Sequence, residues 1–383
     1  MKKIFLMALS IFCTYGHAQN IELLADKNFN QIIDQQQVCL YTLTNSNGCT
    51  AQFTNYGARW LSFWCKDRNG NWGDVVLGFD SLKGYQTAAE GYHGATVGRI
   101  CGRINQGKFT MDGKKYKLAN NDGFGYPLRS HLHGGIKGFH KQMWKGKQGI
   151  DSLNNQYVEF SYLSIDGEEG FPGNLDVTIR YTMKEDNTLR IEYWATTDKR
   201  TLVNLTNHAF FNMSGNPSTT VNNQILSLNC DKYIQCDKQL VPTGKIINVK
   251  GTPLDYTEPI RVAQNFSKNH PEIIKDKGIA IAYVLKPSSS TAHFLNYAAK
   301  LQDPISGRAM TVYTNQPSLQ VYNAWLMDGT DLGKANIPYH SSAGIVLESQ
   351  GFPDAPNHSN FPSVILDKGQ VYNHIVEYKF SVE

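Results

Sequence analysis

Alternation constrains this chain more than any other feature of it. Val177, Ile179, Tyr181 and Met183 repeat with a period of two; Glu185-Asp186-Asn187 interrupts them; Leu189, Ile191, Tyr193 and Ala195 then resume. That period puts one face on a core and the other toward solvent, so it predicts a β-hairpin rather than a helix. Tyr41 and Leu43 alternate in the same way with Ala51 and Phe53 around Asn47-Gly48, a dipeptide suited to a tight hairpin turn. Phe109 to Met111 and Tyr116 to Leu118 flank Asp112-Gly113, and Tyr372, Val376, Tyr378, Phe380 and Val382 close the chain with the same period. Helical spacing is scarce. Only Asp80 to Glu90 predicts a few turns, and Gln19 to Val38 is ambiguous. Antiparallel strands this numerous bury their apolar faces only by closing into a barrel or stacking as sheets. The expected fold is all-β, one large antiparallel β-sandwich.

The first eighteen residues stand outside that pattern. Lys2-Lys3 precede an apolar run from Ile4 to Cys13, and Gly16-His17-Ala18 offers small residues for cleavage, as in a secretory signal peptide. The run is shorter than the roughly 20 residues a membrane span needs. Residues 1–18 are therefore expected to be removed, leaving 19–383 as a single exported domain, periplasmic or secreted, with no membrane attachment after cleavage. The mature part has 383 − 18 = 365 residues, and the full chain is 41% hydrophobic and 18% charged, enough for a sizeable core. The formal charge of +4 is small and its lysines are dispersed, which argues against nucleic acid as a partner. Of seven cysteines, six remain once Cys13 is removed. They form no metal-binding spacing, and buried free thiols are expected for most; Cys230 and Cys236 are the closest pair.

Several stretches are too specific for packing alone. Val203 to Gly215 places His208 among amides and phenylalanines, either as a satisfied core histidine or as a proton donor on the wall of a sugar-sized pocket. Arg99 and Arg103 stand four apart among small residues, and His133 precedes Gly134-Gly135, where backbone can approach a ligand closely. Gly344 to Gln350 is an apolar strand that carries Glu348 and ends on Gln350. His131 and His133 could also be two zinc ligands on one strand face. No further His or Cys cluster accompanies them.

With these residues in place, the chain resembles aldose 1-epimerases, the galactose mutarotase family, from about Asn55 to Phe380. Asp74 to Asp80 is similar to that family's DVVLGFD segment, Leu132 to Gly135 to its LHGG, Asn207-His208 to its Asn-His strand, and Glu348 to Asn357 to its ExQxxPDAxN block. The resemblance implies a supersandwich fold and interconversion of the α and β anomers of a free monosaccharide such as galactose or glucose. It implies Glu348 as base and His208 as acid, with Arg103, His133 and Gln350 binding substrate, and neither cofactor nor metal. The expected assembly is a monomer or weak dimer. For Arg99 a salt bridge beneath the site is at least as good a reading as sugar binding. Trp325, Tyr322 and Phe352 could offer aromatic faces to the sugar.

Two departures from the family pattern bear on specificity. Gly102 stands where members carry Asn before the binding arginine, and Ala280 stands where they carry an aspartate aimed at sugar hydroxyls. Asp276 could substitute after a loop shift. Each missing polar partner costs about 1–3 kcal/mol, so the expected enzyme keeps its acid–base pair but has a changed or weaker preference for galactose and glucose. The alternative is a sugar-binding or sensing protein on the same scaffold that no longer turns over.

Overall fold

The computed structural model describes residues 21–123, 129–274, 276–287 and 295–383. The expected signal peptide, residues 1–18, lies outside them. The alternating segments form the strands their patterns predict. Leu175–Met183 and Thr188–Thr197 pair antiparallel with Val177 opposite Ala195, Ile179 opposite Tyr193 and Tyr181 opposite Ile191, all buried. On their other face Arg180 lies opposite both Glu159 and Glu192, and its guanidinium is 2.6 Å from the Glu159 carboxylate. Apolar side chains inward and ion pairs outward are what a period of two dictates for a sheet with one wet face.

These strands belong to a nine-stranded sheet that runs, in spatial order, Lys145–Ile150, Gln156–Ser164, Leu175–Met183, Thr188–Thr197, Tyr372–Val382, Arg308–Thr314, Asn296–Gln302, Ile225–Leu228 and Ile260–Arg261. A second sheet runs Phe210–Phe211, Ile345–Gln350, Ser318–Tyr322, Gly278–Leu285, Cys230–Cys236 and Pro242–Asn248, with Ile273–Ile274 added at its side. A four-stranded sheet from Leu40–Thr44, Thr50–Thr54, Arg59–Lys66 and Trp72–Asp74 completes the main layers. One apolar core joins all three. It holds Ile191 and Tyr378 from the first sheet, Leu319, Val321 and Leu347 from the second, and Phe53, Trp60 and Phe63 from the third.

Between Asp80 and Glu90 the predicted turns condense to one helix, Leu82–Thr87, capped by the Ser81 hydroxyl accepting from the Gly84 amide. The ambiguous Gln19 to Val38 resolves into a single 3-10 turn at Asp26–Asn28 and two-residue strands at Ile32–Ile33 and Gln36–Gln37. All six cysteines described are free thiols, Cys230 and Cys236 included, and only Cys39 and Cys236 are partly exposed. No helix among the described residues is long and apolar enough to cross a membrane.

Candidate active site

The second sheet positions the site through its strand Ile345–Gln350, which is covered on both faces. Every residue of Ile345–Gln350 is buried. Ile345 and Leu347 enter the main core, while Glu348 and Gln350, offset by one, line a cleft on the opposite face. The pairing register extends that face sideways. Gln320 lies opposite Glu348 and Tyr322 opposite Val346, and on the next strand Ala282 lies opposite Gln320 and Ala280 opposite Tyr322. The cleft spans about 720 Å³ of space between atoms, open solvent included.

His208 reaches this cleft from the break between two short strands. Thr206–Asn207 pairs with Thr96–Val97, and Phe210–Phe211 pairs with the start of the Glu348 strand. The His208 amide donates to the Ala95 carbonyl at 2.9 Å, and its own carbonyl accepts from the Gly94 amide at 2.9 Å. Gly94 has φ +62, and a Cβ there would sit 1.8 Å from the Trp60 carbonyl oxygen, so only glycine allows the approach. His208 Nε2 lies 4.0 Å from Glu348 Oε2. That is ion-pair range, yet burial acts on both groups more strongly than their attraction does. It pushes the Glu348 carboxyl up to about 8, with Glu90 adding to the shift and Arg103 opposing it, and it pulls the His208 imidazole down to about 3. At neutral pH the pair is therefore neutral and holds one proton, on Glu348.

His133 ends the Ser130–Leu132 strand and turns into the cleft at φ +51. The Gly102 amide donates to its Nδ1 at 3.2 Å, while burial holds the ring neutral; together these assign its proton to Nε2. Its ring stands edge-on to that of His208 at 5.2 Å between centroids. Arg103, one strand over, also lines the cleft, and Asp122 clamps its guanidinium, with Nε 2.6 Å from Oδ2. Five side chains lining the cleft carry buried polar atoms with no hydrogen-bond partner in the protein: Glu90 Oε1, His208 Nδ1, Trp325 Nε1, Glu348 Oε1 and both amide atoms of Gln350. Such atoms are costly in a folded protein. Their convergence on one cleft suits a ligand bearing many hydroxyl groups.

The structure thus brings His208, Glu348, Arg103, His133 and Gln350 to one cleft, with Gly102 and Ala280 in its wall. Tyr322 and Trp325 line it as well, whereas Phe352 packs on Phe361 and Ala282 in a small apolar cluster. Three readings that the sequence leaves open are decided by the geometry. Among the described residues Arg99 makes no ion pair; its guanidinium donates to the Ser164, Ile165 and Pro172 carbonyls and the Ser164 hydroxyl. Asp276 lies exposed in the turn before Gly278 and is not part of the cleft wall. His131 is not a partner of His133: its Nδ1 is bonded to the Ala119 carbonyl and its ring rests against Phe171. Three other donors, from His133, His208 and Glu348, do lie within 4.8 Å of one another, a set that could hold a zinc-like ion. Asp122, Glu90, Tyr92 and Gln320 escape a reading of the sequence, because each lies outside any recognisable motif.

The family model described as "Aldose 1-epimerase" matches residues 39–379. A galactose mutarotase from Bos taurus is 40% identical over 317 residues, covering 83% of this chain and 86% of that protein. An aldose 1-epimerase from Escherichia coli is 34% identical over 356 residues, covering 91% and 97%. Among solved structures, an aldose epimerase homologue from C. elegans superposes with a TM-score of 0.80 at 27% identity, over 90% of this chain and 99% of that one.

Proposed function

The chain belongs to the aldose 1-epimerase family, and on that premise we propose that Glu348 and His208 are the acid–base pair with which it interconverts the α and β anomers of a free aldose. The observation that carries the assignment is their buried approach of 4.0 Å inside a cleft walled by Arg103, His133 and Gln350. Opening the pyranose requires the C1 hydroxyl to lose a proton and the ring oxygen to gain one as the C1–ring oxygen bond breaks. Rotation about C1–C2 presents the other face of the new carbonyl, and the reverse transfers close the ring.

Glu348 takes the hydroxyl proton and His208 supplies the one for the ring oxygen; in closure the roles reverse. The neutral pair and the carboxylate–imidazolium pair carry the same single proton. Moving it from Glu348 to His208 therefore readies the site without exchange with solvent. Arg103 and the sugar hydroxyls stabilise the charge that this creates, and the Nε2–H of His133 serves as a donor to the sugar. Each positioned transfer contributes roughly 10²–10⁴ in rate.

The residues of one chain complete this site, which supports a monomer or weak dimer. The amino-terminal Lys2-Lys3, apolar run and Gly16-His17-Ala18 support export to the periplasm or beyond, with cleavage before Gln19. The direct test is polarimetry over galactose, glucose, fucose, xylose and arabinose, with and without a chelator. Acceleration of at least one sugar, unchanged by chelation, is expected. No acceleration of any aldose would sink the proposal, and a chelator-sensitive rate restored by zinc would put a metal on the His133–His208–Glu348 set.

A further inference from the structure

Ala280 leaves its part of the cleft wall without a polar group, yet a carboxyl reaches the cleft from elsewhere in the chain. Glu90, in the loop after the Leu82–Thr87 helix, lines the cleft together with Ala280, Tyr322, His208 and Glu348. Its backbone is held on both sides. Asp331 accepts from the Ala89 and Glu90 amides at 2.8 and 3.0 Å, and His93 Nδ1 lies 2.8 Å from the Glu90 carbonyl oxygen. The Tyr92 amide hydrogen-bonds to its carboxyl, while Oε1 remains buried and unpartnered. A surface loop carrying Glu at this point had every opportunity to turn it to water; instead the residue is 7% exposed.

We propose that Glu90 is a specificity-determining, substrate-binding residue, whose free carboxyl oxygen hydrogen-bonds one sugar hydroxyl on the side of the cleft where Ala280 offers no polar group. This rests on the epimerase reading and adds to it the group that selects the sugar. Glu90, Ala280 and Tyr322 line the same cleft, and Tyr322 lies directly opposite Ala280 in the strand register. Glu90 also raises the Glu348 carboxyl, so the two acids share one dry compartment and do different work in it. Glu348 exchanges protons with the sugar; Glu90, tied to the Tyr92 amide, orients it. Leaving an anchored carboxyl oxygen buried without a hydrogen-bond partner is unfavourable. An aldose lacking the matching hydroxyl therefore binds with that penalty unrelieved, which is how a polar site rejects a deoxygenated analogue.

The experiment compares kcat/KM by polarimetry for the best aldose of the panel and its singly deoxygenated analogues, in wild type, Glu90→Ala and the near-isosteric Glu90→Gln. In wild type one analogue should fall below the parent sugar by about tenfold or more. Glu90→Ala should bring the parent down to that analogue's level while changing the analogue itself by less than about twofold. Glu90→Gln, which keeps the shape and one acceptor, should show the same pattern with a smaller gap, and it decides the matter if the alanine variant does not fold. Equal losses on every sugar, or no loss on any, would overturn the role of Glu90 and leave the epimerase reading intact. A wild type inactive on all sugars would instead overturn the epimerase reading itself.

Discussion

The two large sheets hide their second faces differently. The nine-stranded sheet turns Ile179, Tyr181 and Ile191 to the core and gives its other face to water, where Arg180, Glu159 and Glu192 pair. The second sheet turns Ile345, Leu347 and Val321 to the same core, but along Ile345–Gln350 its other face is covered too, and there it carries Glu348 and Gln350, with Gln320 alongside. A charge on the wet face needs no special explanation. A carboxylic acid on a covered face, without a hydrogen-bond partner for one of its oxygens, costs stability and points to function.

The sharpest way to break this contrast is to neutralise the covered face. Glu348→Gln and His208→Asn should each lower the catalysed anomerisation rate by about 10²-fold or more with the fold intact. Near-normal polarimetric rates, with an unchanged circular dichroism spectrum, would remove that residue from the acid–base pair.

Moving one residue along the same strand should exchange the kind of damage. Leu347, 1% exposed in the main core, should cost about 2–5 kcal/mol of unfolding free energy as Leu347→Ala. Its remaining folded fraction should turn over near the wild-type rate, as denaturant titration and polarimetry on the same sample would show.

Glu348→Gln should also reveal what the site costs the fold. Burial raises the Glu348 carboxyl from its ordinary value of 4.5 to about 8, so the folded state holds that proton more tightly than the unfolded chain does. The stability this contributes is complete below about 4.5 and is lost as pH rises through about 8. The Tm of Glu348→Gln should therefore gain on wild type across that window. A constant difference would mean that the carboxyl is not desolvated.

The smallest effect belongs to the wet face. Arg180→Met should cost about 1 kcal/mol or less, as exposed ion pairs do, and leave kcat/KM unchanged. A large activity loss would show that the two sheets are coupled in a way this contrast does not allow.

The same contrast explains what could be read from the sequence. Leu175–Met183 and Thr188–Thr197 were legible because a wet face prints polar residues between apolar ones. Ile345–Gln350 shows no such alternation, since both its faces are dry; a carboxylate on an apolar strand, together with the resemblance to a known block, marked Glu348 and Gln350. Asp122 fixes Arg103 across 19 residues of sequence, and Glu90 enters from a loop with no period at all. Both meet the cleft through tertiary packing that no local pattern encodes. For Arg99 the structural reading was the right one in kind, but its partners are backbone carbonyls and a serine hydroxyl, which no sequence pattern marks as they would mark an acid. Ala280 was legible as a gap, and its place in the cleft wall is what gives Glu90 its interest.

The central claim is that burial holds one proton on a neutral His208–Glu348 pair, and the pH dependence of kcat/KM for the preferred aldose tests it most directly, once the uncatalysed rate is subtracted. Glu348 keeps its proton until about 8 and His208 stays neutral until about 3. The rate should therefore be level from mildly acidic through neutral pH and fall as pH rises through about 8, where the pair loses its only proton. A bell confined between about 4.3 and 6.5, the ordinary values of a glutamate base and a histidine acid, would contradict the account.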